Sequence, residues 1–177
     1  SINFAQNKKI LYLYSYKAKN IHQNTYLSLK NAYNYTKKNN ISGIITLPLN
    51  KNKIIKYVNS NFLGQTEFFQ KIDKKKFCNM VFLHKKIIIS TLTNHVAINK
   101  LASKFKNTNL IYNKIKVINN TLINKFKINK PKIIISGLNP HCGENNNFGN
   151  EEFKYLKPVL RKLINYKINI TGPVSAD

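Results

Sequence analysis

The sequence predicts an α/β fold in which helices flank a mixed sheet. Segments with apolar residues at helical spacing alternate with short apolar runs, several of them rich in isoleucine, a pattern typical of strands joined by crossover helices. Two of those runs, CNMVFL and KIIISTLT, flank a tight connection and predict an antiparallel hairpin. Crossover helices imply parallel strand pairs, so we expect one sheet that contains both kinds of pairing, in an α/β/α arrangement.

The first half of the chain predicts three helices and one strand. Asn24 or Thr25 caps the first helix, which ends near Asn39–Asn40. The run ISGIITLPL, residues 41–49, follows as a strand that stops at its proline. Asn50 is the expected cap of a second helix, and LGQTEFFQKI is interpreted as a turn into a short third helix.

The second half predicts the hairpin, two helices and two further strands. The hairpin turns at His84-Lys85-Lys86, and the buried strand KIIIS spans 132–136. The last helix runs from Glu151 to about Asn165, with Asn150 as its cap and a kink or break at Pro158, before the strand INIT. The long helix between hairpin and KIIIS has a stripe of Ile111, Ile115, Ile118, Leu122 and Phe126.

Length and charge limit the classes of function. The 177 residues suit one domain, and no internal boundary is apparent. Thirty basic residues against 6 acidic ones give a net charge of +24, which would attract nucleic acid or anionic membranes without sequence preference. However, asparagine is as abundant as lysine, and the lysines are scattered apart from the triple at 74–76. We therefore favour compositional drift toward A/T-rich codons, with a basic nucleic-acid-binding module as the alternative.

Other features favour a cytoplasmic protein that is not bound to a membrane. Cys78 and Cys142 are too few for a disulfide framework, and no apolar stretch approaches the roughly 20 residues of a membrane span. The N-terminus does not resemble a secretory signal. Because the chain opens on Ser1 and ends abruptly on TGPVSAD, we expect 1–177 to be the central fragment of a longer protein.

The segment SGLNPHCGENNNFGN, residues 136–150, concentrates scarce residue types. It holds three of the six glycines, which allow positive φ or close backbone approach, together with His141. His141 follows a strand, as His95 does, and ligands of open α/β sheets bind beyond such strand ends. Two imidazoles there could hold a divalent metal with a third ligand. The alternative is that His95 is an exposed loop residue and His141 is part of a structured turn.

The residues around these histidines resemble a known family. SGLNPHCGENNNFGNEE followed by GPVSAD is similar to the signature of the 4-hydroxythreonine-4-phosphate dehydrogenases of pyridoxal phosphate biosynthesis. Three further segments match in the same order: GIITLPLNK (43–51), GQTEFF (64–69) and STLTNHVAI (90–98). The resemblance implies the fold of the isocitrate and isopropylmalate dehydrogenases, of which this chain would be a part.

The resemblance also implies the site residues. His95 and His141 match two of three histidines that hold a divalent metal (zinc, magnesium or cobalt). The third comes from the partner subunit of a homodimer with a shared active site, from a segment beyond Asp177. Thr66 matches a substrate-binding threonine, and Asp177 matches an acidic residue with a catalytic role near the substrate. Lys51 matches a lysine to which we assign only an electrostatic role.

The implied reaction oxidises 4-phosphohydroxy-L-threonine with NAD or NADP to a β-keto acid, which decarboxylates to 3-amino-2-oxopropyl phosphate, a precursor of pyridoxine 5′-phosphate. Gln65 stands where the family has a substrate-contacting histidine, and glutamine cannot titrate. A degenerate member that folds without catalysis is therefore a further alternative. No residue of the chain is assigned to the nicotinamide, and the partner is a small phosphorylated hydroxy-amino acid rather than a specific nucleic acid.

Overall fold

The computed structural model describes residues 17–85, 87–144 and 147–176. The chain divides into two compact units, Ser1–Asp73 and Lys74–Asp177. Across the described ranges, no helix is both long enough and apolar enough to cross a membrane.

The described part of the first unit contains three helices: α1 (Ile21–Asn39), α2 (Lys51–Tyr57) and α3 (Gln65–Ile72). The start of α1 lies before the predicted caps, because the side chain of Asn20 accepts a hydrogen bond from the N–H of Gln23 at 2.9 Å. The cap of α2 is confirmed, since Asn50 Oδ1 accepts from the N–H of Lys53 at 3.1 Å. The short helix α3 is confirmed as well.

An aromatic cluster holds the first unit together. Leu29 of α1, Ile54 of α2 and Phe62 of the following loop are buried. The ring of Tyr26 meets that of Phe68 edge to face, with centroids 5.3 Å apart. The apolar stripes of the three helices therefore point toward one small core.

The predicted strand at 41–49 is wrong. This segment has no regular secondary structure, and the side chains of Ile45 and Leu47 are 99% and 81% exposed. An extended segment becomes a strand only when a neighbour satisfies its backbone N–H and C=O groups. None of the described strands pairs with it.

The second unit begins with the predicted hairpin. Strands β1 (Val81–His84) and β2 (Ile87–Ser90) pair antiparallel, with Phe82 opposite Ile89 and His84 opposite Ile87. His84 thus belongs to the strand rather than to the turn. After a 3₁₀ turn come the short helix α4 (Leu101–Phe105) and the long helix α5 (Thr108–Asn124).

The remaining elements are a parallel pair of strands and a helix whose first part is π-helical and whose second part is α-helical. Strand β3 (Ile133–Ser136) pairs with β4 (Ile170–Val174), which begins later than the predicted strand INIT and continues beyond it through Gly172 and Pro173. A π-helical turn, Glu152–Leu156, leads into α6 (Lys157–Asn165). Pro158 has no N–H to donate, which explains why the wide turn lies directly before it. The helix predicted over 151–165 is continuous, and the kink or break expected at this proline takes the form of the π-helical turn before it.

The described strands do not form the single mixed sheet that the sequence predicts. They form two separate pairs, β1 with β2 and β3 with β4. The free edges of β2 and β3 line one apolar groove of about 480 Å³, beside α5. Strand β3 is also less buried than predicted, because Ile135 is buried but Ile134 is 72% exposed.

Helices α5 and α6 supply the core of the second unit. Four of the five predicted stripe residues of α5 are buried, whereas Phe126 lies beyond the end of the helix and is exposed. Two of these four, Ile111 and Ile115, pack with residues of α6, β3 and β4 in one cluster, which also includes Ile135, Leu156, Val159, Leu160, Leu163 and Ile170.

Truncation of Leu163 tests this core. Leu163 is fully buried in the cluster, whereas the next residue, Ile164, is 52% exposed. We expect Leu163→Ala to lower the free energy of unfolding by about 2–5 kcal/mol, through lost apolar burial and the cavity left behind. Ile164→Ala is the matched control and should change it by less than about 1 kcal/mol. Urea unfolding measures both, and equal losses would contradict this packing.

Candidate functional site

The loop that carries His141 is closed by a single side chain. Asn139 accepts from the N–H of Gly143 through its Oδ1 at 3.3 Å, and its Nδ2 donates to the carbonyl of Phe148 at 3.1 Å. The backbone carbonyl of Asn139 also accepts from the N–H of Cys142 at 3.1 Å. The two sides of the glycine-rich segment are therefore tied to one asparagine.

Residues at and after the end of β4 form hydrogen bonds with the same loop. The N–H of Gly137 donates to the carbonyl of Val174 at 3.0 Å, which continues the pairing of β3 with β4. The carbonyl of Pro140 accepts from the N–H of Ala176 at 3.0 Å and from Ser175 Oγ at 2.5 Å. The described parts of the two sequence motifs, 136–144 with 147–150 and 172–176, thus form one hydrogen-bonded structure.

The ring of His141 lies on the exposed side of this loop. It stacks on Phe148, with ring centroids 5.4 Å apart and an interplanar angle of 30°. The next residue, Cys142, has a φ of 53°, a left-handed conformation that is strained for a side chain of this kind. Burial raises the pKa of the Cys142 thiol, and the nearby Glu152 carboxylate adds to that shift while Lys157 opposes it.

Glu152 supports the His141 loop from beneath. Its side chain is only 3% exposed, and its Oε1 accepts from the N–H of Leu138 at 2.7 Å. Its Oε2 has no hydrogen-bond partner among the described residues. A Cβ added to Gly143, whose φ is 76°, would lie 3.3 Å from that Oε2. One carboxylate therefore reaches both ends of the turn that contains His141.

His95 occupies a similar place after β2. The hydroxyl of Thr91 donates to Asn94 Oδ1 at 2.5 Å, and the N–H of Thr91 donates to the carbonyl of Met80 at 3.3 Å. His95 follows with a φ of 53° and an exposed side chain. Strain of this kind clusters at functional sites, where the surrounding structure over-determines it.

Lys114 of α5 supports the His95 loop from the buried side. Its side chain is 7% exposed, and its Nζ donates to the carbonyls of Leu92 at 2.9 Å and Thr91 at 3.3 Å. Its own carbonyl accepts from Asn79 Nδ2 at 2.9 Å. Burial lowers the pKa of the Lys114 amine, with Cys78 acting in the opposite direction.

The predicted substrate residues lie in the first unit. Gln65 begins α3, where its Oε1 accepts from the hydroxyl of Thr46 and its Nε2 donates to the carbonyl of Leu47 at 3.0 Å. Thr66 is half-buried in the first turn of α3, and Lys51 is the exposed first residue of α2. The amide of Gln65 therefore fixes the irregular segment that was predicted to be a strand.

The structure thus places both candidate metal ligands on loops that directly follow strands, as predicted, although β2 and β3 belong to different sheets. In the part of the chain that the structure describes, no three His, Cys, Asp or Glu side chains are grouped as a metal site. Asp177 lies outside the described residues. The three glycines have the expected roles: Gly143 and Gly149 have positive φ, and Gly137 lies close to Cys142.

Two residues of the site were not singled out from the sequence. Lys114 lies three residues after Ile111 and four before Ile118. This spacing places a lysine on the apolar stripe of α5, which is the sequence feature that could have identified it as buried. Glu152 was visible as one of only six acidic residues, in a segment that also holds Gly149. Neither signal identifies the backbone groups that these side chains contact.

Comparisons with known proteins agree with one another. The family model described as "Pyridoxal phosphate biosynthetic protein PdxA" matches residues 6–177. The chain is 38% identical over 136 residues to a 4-hydroxythreonine-4-phosphate dehydrogenase from Wigglesworthia glossinidia brevipalpis, covering 77% of the chain and 40% of that relative. It is 31% identical over 149 residues to a protein of the same name from Sulfurihydrogenibium sp. (strain YO3AOP1), covering 84% and 46%.

Solved structures give the same result. A crystal structure of a 4-hydroxythreonine-4-phosphate dehydrogenase from Klebsiella pneumoniae superposes with a TM-score of 0.76 at 25% identity. The match covers 87% of this chain and 47% of that one. The chain therefore spans less than half the length of the relatives that it matches.

The buried amine of Lys114 should make stability depend on pH. Because burial lowers its pKa in the folded state, the folded protein carries a penalty at pH values below that lowered pKa. The penalty disappears as pH rises toward the ordinary value of 10.5. We expect the unfolding free energy of the wild type to rise relative to that of Lys114→Met across this window. Urea titrations from about pH 7 to 11 measure the difference in unfolding free energy between the two proteins. A difference that did not change with pH would contradict the destabilising effect of the buried Lys114 charge.

Proposed function

The chain belongs to the PdxA family of pyridoxal phosphate biosynthetic proteins, and we propose that its protein is a metal-dependent NAD or NADP dehydrogenase acting on 4-phosphohydroxy-L-threonine. The observation that carries the proposal is the hydrogen-bonded structure formed by the His141 loop and the end of β4. Pro140 accepts from both Ser175 and Ala176 there. These contacts join the two most specific segments of the family resemblance.

The donor chemistry of the site fits a divalent ion. His95 and His141 both present exposed imidazoles, on loops whose backbone groups form hydrogen bonds with Lys114 and Asn139. Imidazole nitrogen is a good ligand for zinc and cobalt, and magnesium accepts it less readily. When bound, such an ion supplies a Lewis acid for the substrate's secondary hydroxyl. We propose His95 and His141 as two ligands and a histidine of a second copy as the third, in a homodimer with a shared site.

The oxidation removes one hydride and one proton from the substrate's carbinol group. NAD or NADP takes the hydride, and the resulting β-keto acid loses carbon dioxide to leave 3-amino-2-oxopropyl phosphate. For the proton we propose Asp177, which matches the family's acidic residue. Thr66 offers a hydroxyl for substrate binding at the start of α3, with Lys51 as an electrostatic contribution.

Gln65 has a defined role in this proposal. Its amide uses one acceptor and one donor to hold Thr46 and Leu47. A neutral imidazole also has one acceptor and one donor, so glutamine can replace the uncharged form of the family's histidine. The loss of a titratable group at this position is then compatible with activity.

We also propose a cytoplasmic location. Neither Cys78 nor Cys142 forms a disulfide, as expected in a reducing compartment.

Replacement of the candidate ligands tests the metal site. In the protein expressed as its complete gene product, we expect His141→Ala and His95→Ala each to reduce kcat/KM by about a hundred-fold or more, because a lost ligand removes several kcal/mol of transition-state stabilisation. NADH formation with 4-phosphohydroxy-L-threonine measures this. His84→Ala, on the exposed hairpin, is the matched control and should stay within about two-fold. Turnover that resists chelators, or equal effects of all three variants, would refute the site.

The variant Gln65→His tests the role of the amide. A histidine titrates near pH 6.5, and its cationic form has no acceptor for the Thr46 hydroxyl. We expect kcat/KM close to wild type above about pH 7.5 and a new decline below about pH 6.5 that the wild type lacks. Gln70→His, on the same helix, should not add that decline. If Gln65→His were far more active than the wild type at every pH, the degenerate alternative would be correct.

A further inference from the structure

Among the described residues, two charged side chains are buried, and they have opposite signs: Lys114 and Glu152. Each one bonds to the backbone between the end of a strand and a candidate metal ligand. Lys114 binds carbonyls that follow β2, ahead of His95, and Glu152 binds an N–H that follows β3, ahead of His141. The same arrangement therefore occurs at both loops.

Burial of these charges needs a reason. Lysine and glutamate are almost never fully buried without partners, since removing a charge from water is costly. An apolar side chain at either position would extend the neighbouring core at lower cost, because Lys114 lies beside Ile115 and Glu152 precedes the buried Leu156. Within the described ranges neither side chain has a salt-bridge partner, and each forms its hydrogen bonds with backbone groups.

Glu152 acts on the turn around His141. Its Oε1 accepts a hydrogen bond at 2.7 Å from the N–H of Leu138, the second residue after β3. Its Oε2 lies against the other end of the turn, at Gly143. The carboxylate comes from the π-helical turn Glu152–Leu156, and such turns are frequent at functional sites. The position of His141 between these two contacts depends on one side chain.

Lys114 acts on the segment before His95. Its Nζ donates hydrogen bonds to two successive carbonyls, those of Thr91 and Leu92. These bonds fix the direction in which the chain leaves β2. The long helix α5 carries the lysine, and its contact with Asn79 links that helix to the chain before β1. The left-handed His95 therefore follows a backbone that is already restrained.

We propose that Lys114 and Glu152 are positioning residues that orient the two imidazoles for a shared divalent ion, an inference that rests on the proposed function. Neither side chain touches the substrate or the ion in this account. Groups that orient the ligands of a metal typically change its affinity by 10- to 100-fold when they are removed. The structure assigns that role here to one buried cation and one buried anion.

The test measures cobalt affinity and local hydrogen exchange in the complete gene product. We expect Lys114→Met and Glu152→Leu to weaken Co²⁺ binding by about 10- to 100-fold in a titration followed by visible absorption. Amide exchange should become faster at 138–144 in Glu152→Leu and at 91–97 in Lys114→Met, each variant affecting its own loop. Glu152→Gln keeps an acceptor for Leu138 and should bind Co²⁺ nearly as well as the wild type.

A core variant separates positioning from general stability. Leu160 is buried in the main cluster of the second unit, so Leu160→Ala should lower the Tm without changing Co²⁺ affinity. If Lys114→Met and Glu152→Leu weakened Co²⁺ binding no more than Leu160→Ala does, the positioning role would be wrong. If the wild type bound no Co²⁺, or if its Co²⁺ binding persisted in His95→Ala and His141→Ala, the metal site itself would be wrong. The orienting role would then be wrong as well. These two failures are distinguishable.

Discussion

The parallel pairing of β3 with β4 is the interaction on which the candidate site depends. Ile133 pairs with Ile170 and Ser136 with Val174, with an irregularity between them where Gly172 approaches Ile135. A Cβ at Gly172 would lie 2.4 Å from the carbonyl oxygen of Ile135, so the pairing requires glycine there. Because β4 is held in this register, its end reaches the His141 loop, and two motifs that are distant in sequence become one structure.

Local patterns were sufficient for most elements but not for their assembly. Helix α2, the hairpin and the irregular helix geometry before Pro158 follow from caps, turns and proline chemistry that act over a few residues. The failure at 41–49 shows the limit, since an apolar run is a strand only if another strand pairs with it. The candidate site divides in the same way: histidines after strands were predictable, whereas the contacts of Lys114 and Glu152 depend on which backbone groups the fold brings beneath them.

Part of the positive charge lies against the protein's own aromatic rings. Several lysines lie over aromatic rings of their own chain. Lys116 lies 5.4 Å from the ring centroids of both Tyr112 and Tyr166, and Lys56 lies 5.2 Å from that of Tyr57. Cation–π contacts of this kind stabilise exposed sites by roughly 0.5–1 kcal/mol.

The central claim is that His95 and His141 bind one ion. A crystal structure of the complete gene product grown with Co²⁺, with anomalous scattering recorded at the cobalt edge, tests it most directly. We expect an anomalous peak about 2.1 Å from a ring nitrogen of each histidine. A cobalt peak elsewhere, or imidazoles too far apart for one ion to reach both, would contradict it.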